Sequence, residues 1–345
     1  MIKHNIKNLL VTGGAGFIGC NFVKMLLEDL RIDDLHLVVL DNLSYCGNLE
    51  NLDFARKYSN YSFIKGDICD RVLLDKVFEE NEIDGVINFA AESHVDRSIH
   101  DSEPFLRTNV GGTLALLDMS VKHKVKKYLQ VSTDEVYGSL SAAEPAFTEQ
   151  NYIKPRSPYS ASKASADHFV MAYYATHNLP VVITRCSNNY GPNQFPEKLI
   201  PLMVLNAMED KDLPIYGDGQ NIRDWVYVGD HCAAIWNAFE GGKVGEVYNV
   251  GGNCELTNLQ IVTKILDVLG KPESLIKYVA DRPGHDRRYA MNSGKIAREL
   301  GWKPKVGFEE GFAATIEWYK KNYEWCRKIR SGEYLEYYRR QYENI

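Results

Sequence analysis

Two short stretches carry side chains able to move protons and assist hydride transfer. In VSTDEVYG, Val131 to Gly138, an apolar run ends in Thr133, Asp134 and Glu135. An acidic pair after a strand is either solvated or has a task, because unpaired charge is costly to bury. In SPYSASK, Tyr159 and Lys163 stand four apart, which places phenol and ammonium on one face of a helix. A nearby ammonium favours tyrosinate and lowers a phenol pKa ordinarily near ~10, giving a base for a hydroxyl proton while hydride leaves the same carbon. Two adjacent carboxyl groups can supply a base and an acid together if one keeps its proton. Consecutive strand residues point to opposite faces, so Asp134 and Glu135 reach one substrate only if the strand ends at Thr133 and the backbone turns at Asp134.

Either stretch alone has a bland alternative, a solvated turn or a chance spacing. Their company decides between the readings. In LLVTGGAGFIG a strand runs into Gly13, Gly16 and Gly19, spaced G-x-x-G-x-x-G, and a helix follows through Phe17 and Ile18. Glycine there permits a tight turn, close backbone approach to a pyrophosphate and tight helix packing, while the helix N-terminus stabilises the anion. The second strand ends LVVLD at Asp41, followed by Asn42, where a carboxylate should meet ribose hydroxyls and repel a 2′-phosphate. NAD rather than NADP is the expected cofactor. Two more strand ends, GDI with Asp67 and Ile68 and FAAES with Ala90, Ala91 and Ser93, fall where the two halves of a dinucleotide would cross the sheet's carboxyl edge.

These groups require a frame. NLLVTG, LHLVVLD, YSFIKGD, GVINFAA and KYLQVST each precede a polar or helix-period segment, and LPVVITR at 179–185 supplies a sixth strand. Strands separated by helices imply right-handed crossovers and a parallel sheet covered on both faces. The expected class is α/β, a Rossmann-type doubly wound parallel sheet with a smaller, mixed C-terminal substrate domain. Ser157-Pro158 before Tyr159 is a good helix start. After Tyr190 the segments GPNQFPEKLIP and LPIYGDGQNIRDW are rich in Gly, Pro and Asn, the composition of binding loops. GEVYNVGG, 245–252, looks like a strand returning to the main sheet. The expected division is therefore interleaved: 1–190 and about 224–254 for the dinucleotide, about 191–223 and 255–345 for the substrate. The stretch from Phe308 to Ile345 has helical spacing and an aromatic-rich tail.

With 45% hydrophobic and 25% charged residues the 345-residue chain is that of a globular protein, and its net charge of -6 argues against a nucleic-acid binder held by a general positive field. The N-terminal apolar run breaks after a few residues into Gly-Gly, too short for a signal peptide or membrane span. A cytoplasmic protein is expected. Seven scattered cysteines without a CxxC pair fit neither a disulfide framework nor a zinc site; no metal is expected.

At TGGAGFIG (12–19), DNLSYCGNLENL (41–52), AAESHVDRSI (90–99), VSTDEVYG (131–138), YSASK (159–163), NNYGPNQFPEKLIP (188–201), GDGQNIRDWVYV (217–228) and RPGHDRRYA (282–290) the chain resembles the extended short-chain dehydrogenase/reductase family, and within it the nucleotide-sugar 4,6-dehydratases. The Asp-Glu after Thr133 is the specific element, since relatives that epimerise or decarboxylate nucleotide sugars generally lack it. The resemblance implies that Tyr159 deprotonates a glucose 4-hydroxyl, that Lys163 lowers the phenol pKa and holds the cofactor ribose, and that Thr133 hydrogen-bonds the C4 oxygen. It also implies that Glu135 removes the C5 proton and Asp134 protonates the departing C6 hydroxyl. For the nucleotide sugar it implies contacts from Ser93, Asn188, Glu197, Lys198, Leu199, Pro214, Tyr216, Arg223, Asn258, Asp286, Arg287 and Tyr289, with Arg223 on the diphosphate. Thymine over uracil rests on the resemblance alone, as does a homodimer through helices at about 104–122 and 158–177. A UDP-sugar enzyme of the same family and a noncatalytic NAD-sensing scaffold are the alternatives. Cys20 and the YLQ run at 128–130 are less usual choices for the family.

Overall fold

The computed structural model describes residues 6–330; the aromatic tail at 331–345 lies outside the described residues. Six strands arise in the first half, β1 (Asn8–Thr12), β2 (His36–Asp41), β3 (Tyr61–Lys65), β4 (Gly85–Asn88), β5 (Lys127–Thr133) and β6 (Val181–Cys186). Along β1, Leu9 and Val11 face one core layer with Val39, Ile87, Leu129 and Val182. Leu10 faces the opposite layer with Val38, Leu40, Val86, Tyr128 and Ile183. Apolar residues on both faces are what a fully covered sheet requires, and each such buried side chain contributes about 1.5–3 kcal/mol.

The other strands are β7 (Asn188–Tyr190), β8 (Leu213–Tyr216), β9 (Ile222–Tyr227), β10 (Glu246–Val250), β11 (Glu255–Thr257) and β12 (Ile276–Val279). The main sheet has the order β10-β6-β5-β4-β1-β2-β3, and every pair in it is parallel. The chain winds outward from β1 to β3 and then back through β4, so the direction reverses between β1 and β4. A crevice opens at the strands' carboxyl ends where this happens. β10, within the 245–252 segment, pairs with β6.

A second core gathers the helices Leu199–Met208, Asn258–Leu269 and Phe308–Lys321 around Leu205, Ile261, Ile265, Phe312 and Ile316. Two small sheets, β11-β9-β7 and β12-β8, border it. The twenty-residue helix Pro158–His177 begins as the sequence predicts: Ser157 caps it reciprocally with Ser160, Pro158 lies in the first turn, and Asn178 closes it at φ +53°. Among the described residues no helix is long and apolar enough to cross a membrane.

Candidate active site

A cleft of about 440 Å³ runs along the carboxyl edge of the main sheet and under the second core. One end is built from backbone. Gly13 sits at φ +68°, and a Cβ there would stand 2.6 Å from the Ala90 nitrogen; a Cβ at Gly19 would stand 2.3 Å from the Gly13 carbonyl oxygen. The glycines let three segments close to a distance that no side chain allows. Asp41 ends β2 buried; its Oδ2 accepts from Ala15 N at 2.9 Å and its Oδ1 from Leu43 N at 2.8 Å. Burial pushes its pKa up while the two N–H donors oppose the shift. The oxygens are thereby fixed at the cleft with further lone pairs available. Gly16, Phe17, Ile18, Asn42, Ile68, Ala90, Ala91 and Ser93 also line this end. Asp67 does not: it accepts from Arg107 Nη2 at 2.6 Å and from Cys69 N at 2.9 Å.

At mid-cleft β5 stops at Thr133 and a single turn of 3-10 helix, Asp134–Tyr137, follows. Here the backbone turns where two carboxyl groups need it to. The Thr133 hydroxyl oxygen accepts from Glu135 N at 3.3 Å, and the hydroxyl donates to Asp134 Oδ1 at 3.2 Å. Asp134 is 2% exposed, and its Oδ2 has no hydrogen-bond partner among the described residues. Burial, then the Glu135 and Asp224 charges, push Asp134 well above the usual carboxylate range, against Arg223. Burial also raises Glu135, but Arg282, Arg223 and Lys198 oppose it. Both carboxyls are raised by burial, and the cations oppose the rise more at Glu135 than at Asp134.

Tyr159 and Lys163 enter from the helix Pro158–His177 and line the cleft beside this turn. Lys163 Nζ donates to the Val131 carbonyl at 2.7 Å; burial pushes its pKa down, with Asp167 opposing. The phenol differs from the sequence-based expectation. Burial, then Glu135, Cys186 and Asp134, push Tyr159 well above its ordinary value, with the Thr133 hydroxyl opposing. Desolvation and the two carboxyls dominate at the phenol.

The far end is built from charged side chains. Arg223 is 5% exposed; its Nη1 donates to the Ile222 carbonyl at 2.8 Å, and its guanidinium lies over the Tyr289 ring, 4.4 Å from the centroid. Arg282 pairs with Asp96 at 3.0 Å, and Lys198 Nζ donates to the Ser93 carbonyl at 2.9 Å. Asn188, Leu199, Pro214, Tyr216 and Asn258 complete the lining. Glu197 lines it too, but its side chain is wholly buried and paired with His94 at 3.4 Å. Three residues expected on the sugar nucleotide lie outside the lining. Asp286 pairs with Arg156 at 3.3 Å, Arg287 with Asp218 at 2.8 Å, and Tyr289 is buried beneath Arg223 with its hydroxyl on Asp286.

The sequence reading missed Glu92, Asp96, Asn189 and Phe195, and left Arg282, His94 and His285 without a role; all seven line the cleft. His285 bonds Asp281 at 2.6 Å, and burial pushes it down to about 4. They fall inside motifs already recognised, but no spacing rule says which loop side chains turn inward. Among the described residues no group of three or more His, Cys, Asp or Glu could hold a metal ion.

A model of the family described as GDP-mannose 4,6 dehydratase matches residues 10–315. The dTDP-glucose 4,6-dehydratase of Salmonella typhimurium is 47% identical over 359 aligned residues, covering 97% of this chain and 99% of the relative. Among solved structures, the dTDP-glucose 4,6-dehydratase of Bacillus anthracis in complex with NAD aligns with a TM-score of 0.87 at 51% identity, covering 93% of this chain and 99% of its own. The dTDP-glucose 4,6-dehydratase of Streptomyces venezuelae, also with NAD bound, gives 0.90 at 48% identity over the same shares.

Proposed function

The chain belongs to the GDP-mannose 4,6 dehydratase family, and from that premise we propose that it is an NAD-dependent hydro-lyase converting dTDP-glucose to dTDP-4-keto-6-deoxyglucose and water. The substrate assignment is supported by relatives of that activity at 47 to 51% identity. The observation that carries the chemistry is the Asp134–Glu135 turn at the end of β5, where burial raises Asp134 well above the usual carboxylate range and three cations oppose the rise at Glu135, beside Tyr159.

NAD fits this chain. Gly13 and Gly19 leave a cradle that a Cβ would fill, Asp41 presents fixed acceptors for ribose hydroxyls, and Lys163, which lines the cleft, is assigned to the second ribose. When bound, the oxidised cofactor supplies the hydride acceptor, the reduced form the donor, and the nicotinamide cation a charge that favours tyrosinate. Tyr159 takes the proton of the 4-hydroxyl as C4 is oxidised, with the Thr133 hydroxyl hydrogen-bonding the C4 oxygen. The new ketone acidifies the C5 proton, which Glu135 removes. Asp134 gives its proton to the departing C6 hydroxyl, so the C6–O bond breaks and water leaves. C6 is then reduced and Glu135 returns its proton to C5. Tyr159 loses, and Asp134 regains, one proton to reset the site. Arg223, nine-tenths buried and rigidly backed, is assigned to the diphosphate.

We place the dehydratase in the cytoplasm, which its seven free thiols support. We also propose a homodimer through 104–122 and 158–177, where Leu106, Phe169 and Tyr174 leave apolar surface exposed, and keep the interleaved division into dinucleotide and sugar-nucleotide units. The test is mass spectrometry of the protein incubated separately with dTDP-glucose and UDP-glucose. Loss of one water from the thymidine substrate without net NADH is the expected result. Loss from UDP-glucose alone would change the nucleotide, and loss from neither would overturn the assignment.

A further inference from the structure

Beside the cleft sits a residue the mechanism does not use. The loop 42–47 follows Asp41 and contributes Asn42, Ser44, Cys46 and Gly47 to the dinucleotide end. Tyr45, in its middle, points away from the cleft into a clamp made by the other end. The Arg97 guanidinium stacks on the Tyr45 ring, 3.2 Å from the centroid, and the Phe195 ring packs on it at 4.7 Å. The Tyr45 hydroxyl donates to Glu197 Oε2, and the Cys46 thiol lies 3.9 Å from Glu197 Oε1. Glu197 is in turn flanked by His94 at 3.4 Å, and its neighbour Lys198 is tied to the Ser93 carbonyl. Phe195, Glu197 and Lys198 line the sugar-nucleotide end. Both oxygens of Glu197 are therefore turned to the loop and to His94.

We infer that Tyr45 is a positioning residue: held by Arg97, Phe195 and Glu197, it straps the loop 42–47 over the bound dinucleotide and makes cofactor retention depend on occupancy of the sugar-nucleotide end. This rests on the dinucleotide reading of the cleft. Lys198, which lines the sugar-nucleotide end with Arg223, belongs to the same segment, 195–198, that carries the clamp on Tyr45, so a diphosphate held there bears on the clamp. Sugar nucleotide and NAD thus stabilise each other across the Tyr45–Glu197 bond, although neither touches the Tyr45 hydroxyl.

The test loads the protein with labelled NAD and follows its release during a chase with unlabelled NAD, with and without thymidine diphosphate. In the wild type, thymidine diphosphate should slow release. Tyr45→Ala should raise the release rate by about tenfold or more and abolish that slowing. Tyr45→Phe, which keeps the ring under Arg97, and Glu197→Gln should each give a smaller rise on the scale of one hydrogen bond to a charged acceptor, and their combination should add little beyond either. These two carry the test if Tyr45→Ala does not fold. Release at the wild-type rate from Tyr45→Phe and Glu197→Gln, or undiminished slowing by thymidine diphosphate in them, would overturn the inference. A wild type that binds no NAD would overturn the dinucleotide reading and this inference with it.

Discussion

The two ends of the cleft are built by opposite means. The dinucleotide end is made of glycines, short strand ends and backbone N–H groups, with Asp41 as its one oriented carboxylate. The sugar-nucleotide end is made of long charged side chains, Arg223, Arg282 and Lys198, each backed by a partner on a different segment. A backbone-built site is rigid and tolerates almost no added atom. A side-chain site can be retuned, since one guanidinium or ammonium changes its reach without moving the fold. The proposed catalytic groups sit at the seam: Thr133 ends a strand of the first region, Asp134 and Glu135 follow it in a tight turn, and burial raises both carboxyls while cations of the second region oppose the rise.

That contrast can be broken in four ways, from the largest effect to the smallest. Tyr159→Phe removes the base and should lower C4 oxidation by about 10²–10⁴-fold, with NAD binding kept; stopped-flow absorbance of the reduced nicotinamide measures the first and a titration the second. Gly13→Ala forces a side chain at φ +68° and against Ala90, a strain of about 1–3 kcal/mol before the clash is counted. NAD affinity should fall about tenfold or more while affinity for thymidine diphosphate holds, as calorimetry of each ligand would show. Arg223→Lys should act in reverse, raising KM for the sugar nucleotide about tenfold by losing the forked contact and leaving NAD affinity as it was.

The smallest effect is a change of profile. Glu135 must be ionised to accept a C5 proton, and burial raises its pKa, so exchange of the product's C5 hydrogen with deuterium oxide should be present at alkaline pH and lost as pH falls through that raised value. Proton NMR across pH reads it directly. Arg282→Gln, by removing one opposing cation, should move the loss to higher pH. An unmoved profile would detach Glu135 from the sugar-end cations.

The same contrast explains what was legible in the sequence. Glycine spacing and the strand-end Asp41 report a backbone shape, which local sequence encodes, and the structure puts Gly13, Gly16, Gly19 and Asp41 along one cleft edge. The turn at Asp134 was legible because two adjacent carboxyls cannot share a substrate on a straight strand. Side-chain orientation in long loops was not. Within RPGHDRRYA only Arg282 and His285 line the cleft, whereas Arg287 turns outward to Asp218 and Tyr289 becomes the floor under Arg223; nothing in the residue types distinguishes those outcomes. Asp67 resembled a cofactor contact at a strand end, but Arg107, forty residues on, captures it. The phenol's pKa direction was equally hidden, because it depends on burial and on carboxyls of the turn after β5.

The most direct test of the division of labour at the seam is a single-turnover experiment on Asp134→Asn and Glu135→Gln with dTDP-glucose, following reduced nicotinamide by absorbance and loss of water by rapid-quench mass spectrometry. If Asp134 is the acid and Glu135 the base, both variants should form the reduced cofactor near the wild-type rate and hold it, while water loss falls by about 10²–10⁴-fold. Water loss at the wild-type rate in either variant, or oxidation and water loss falling together, would contradict the assignment.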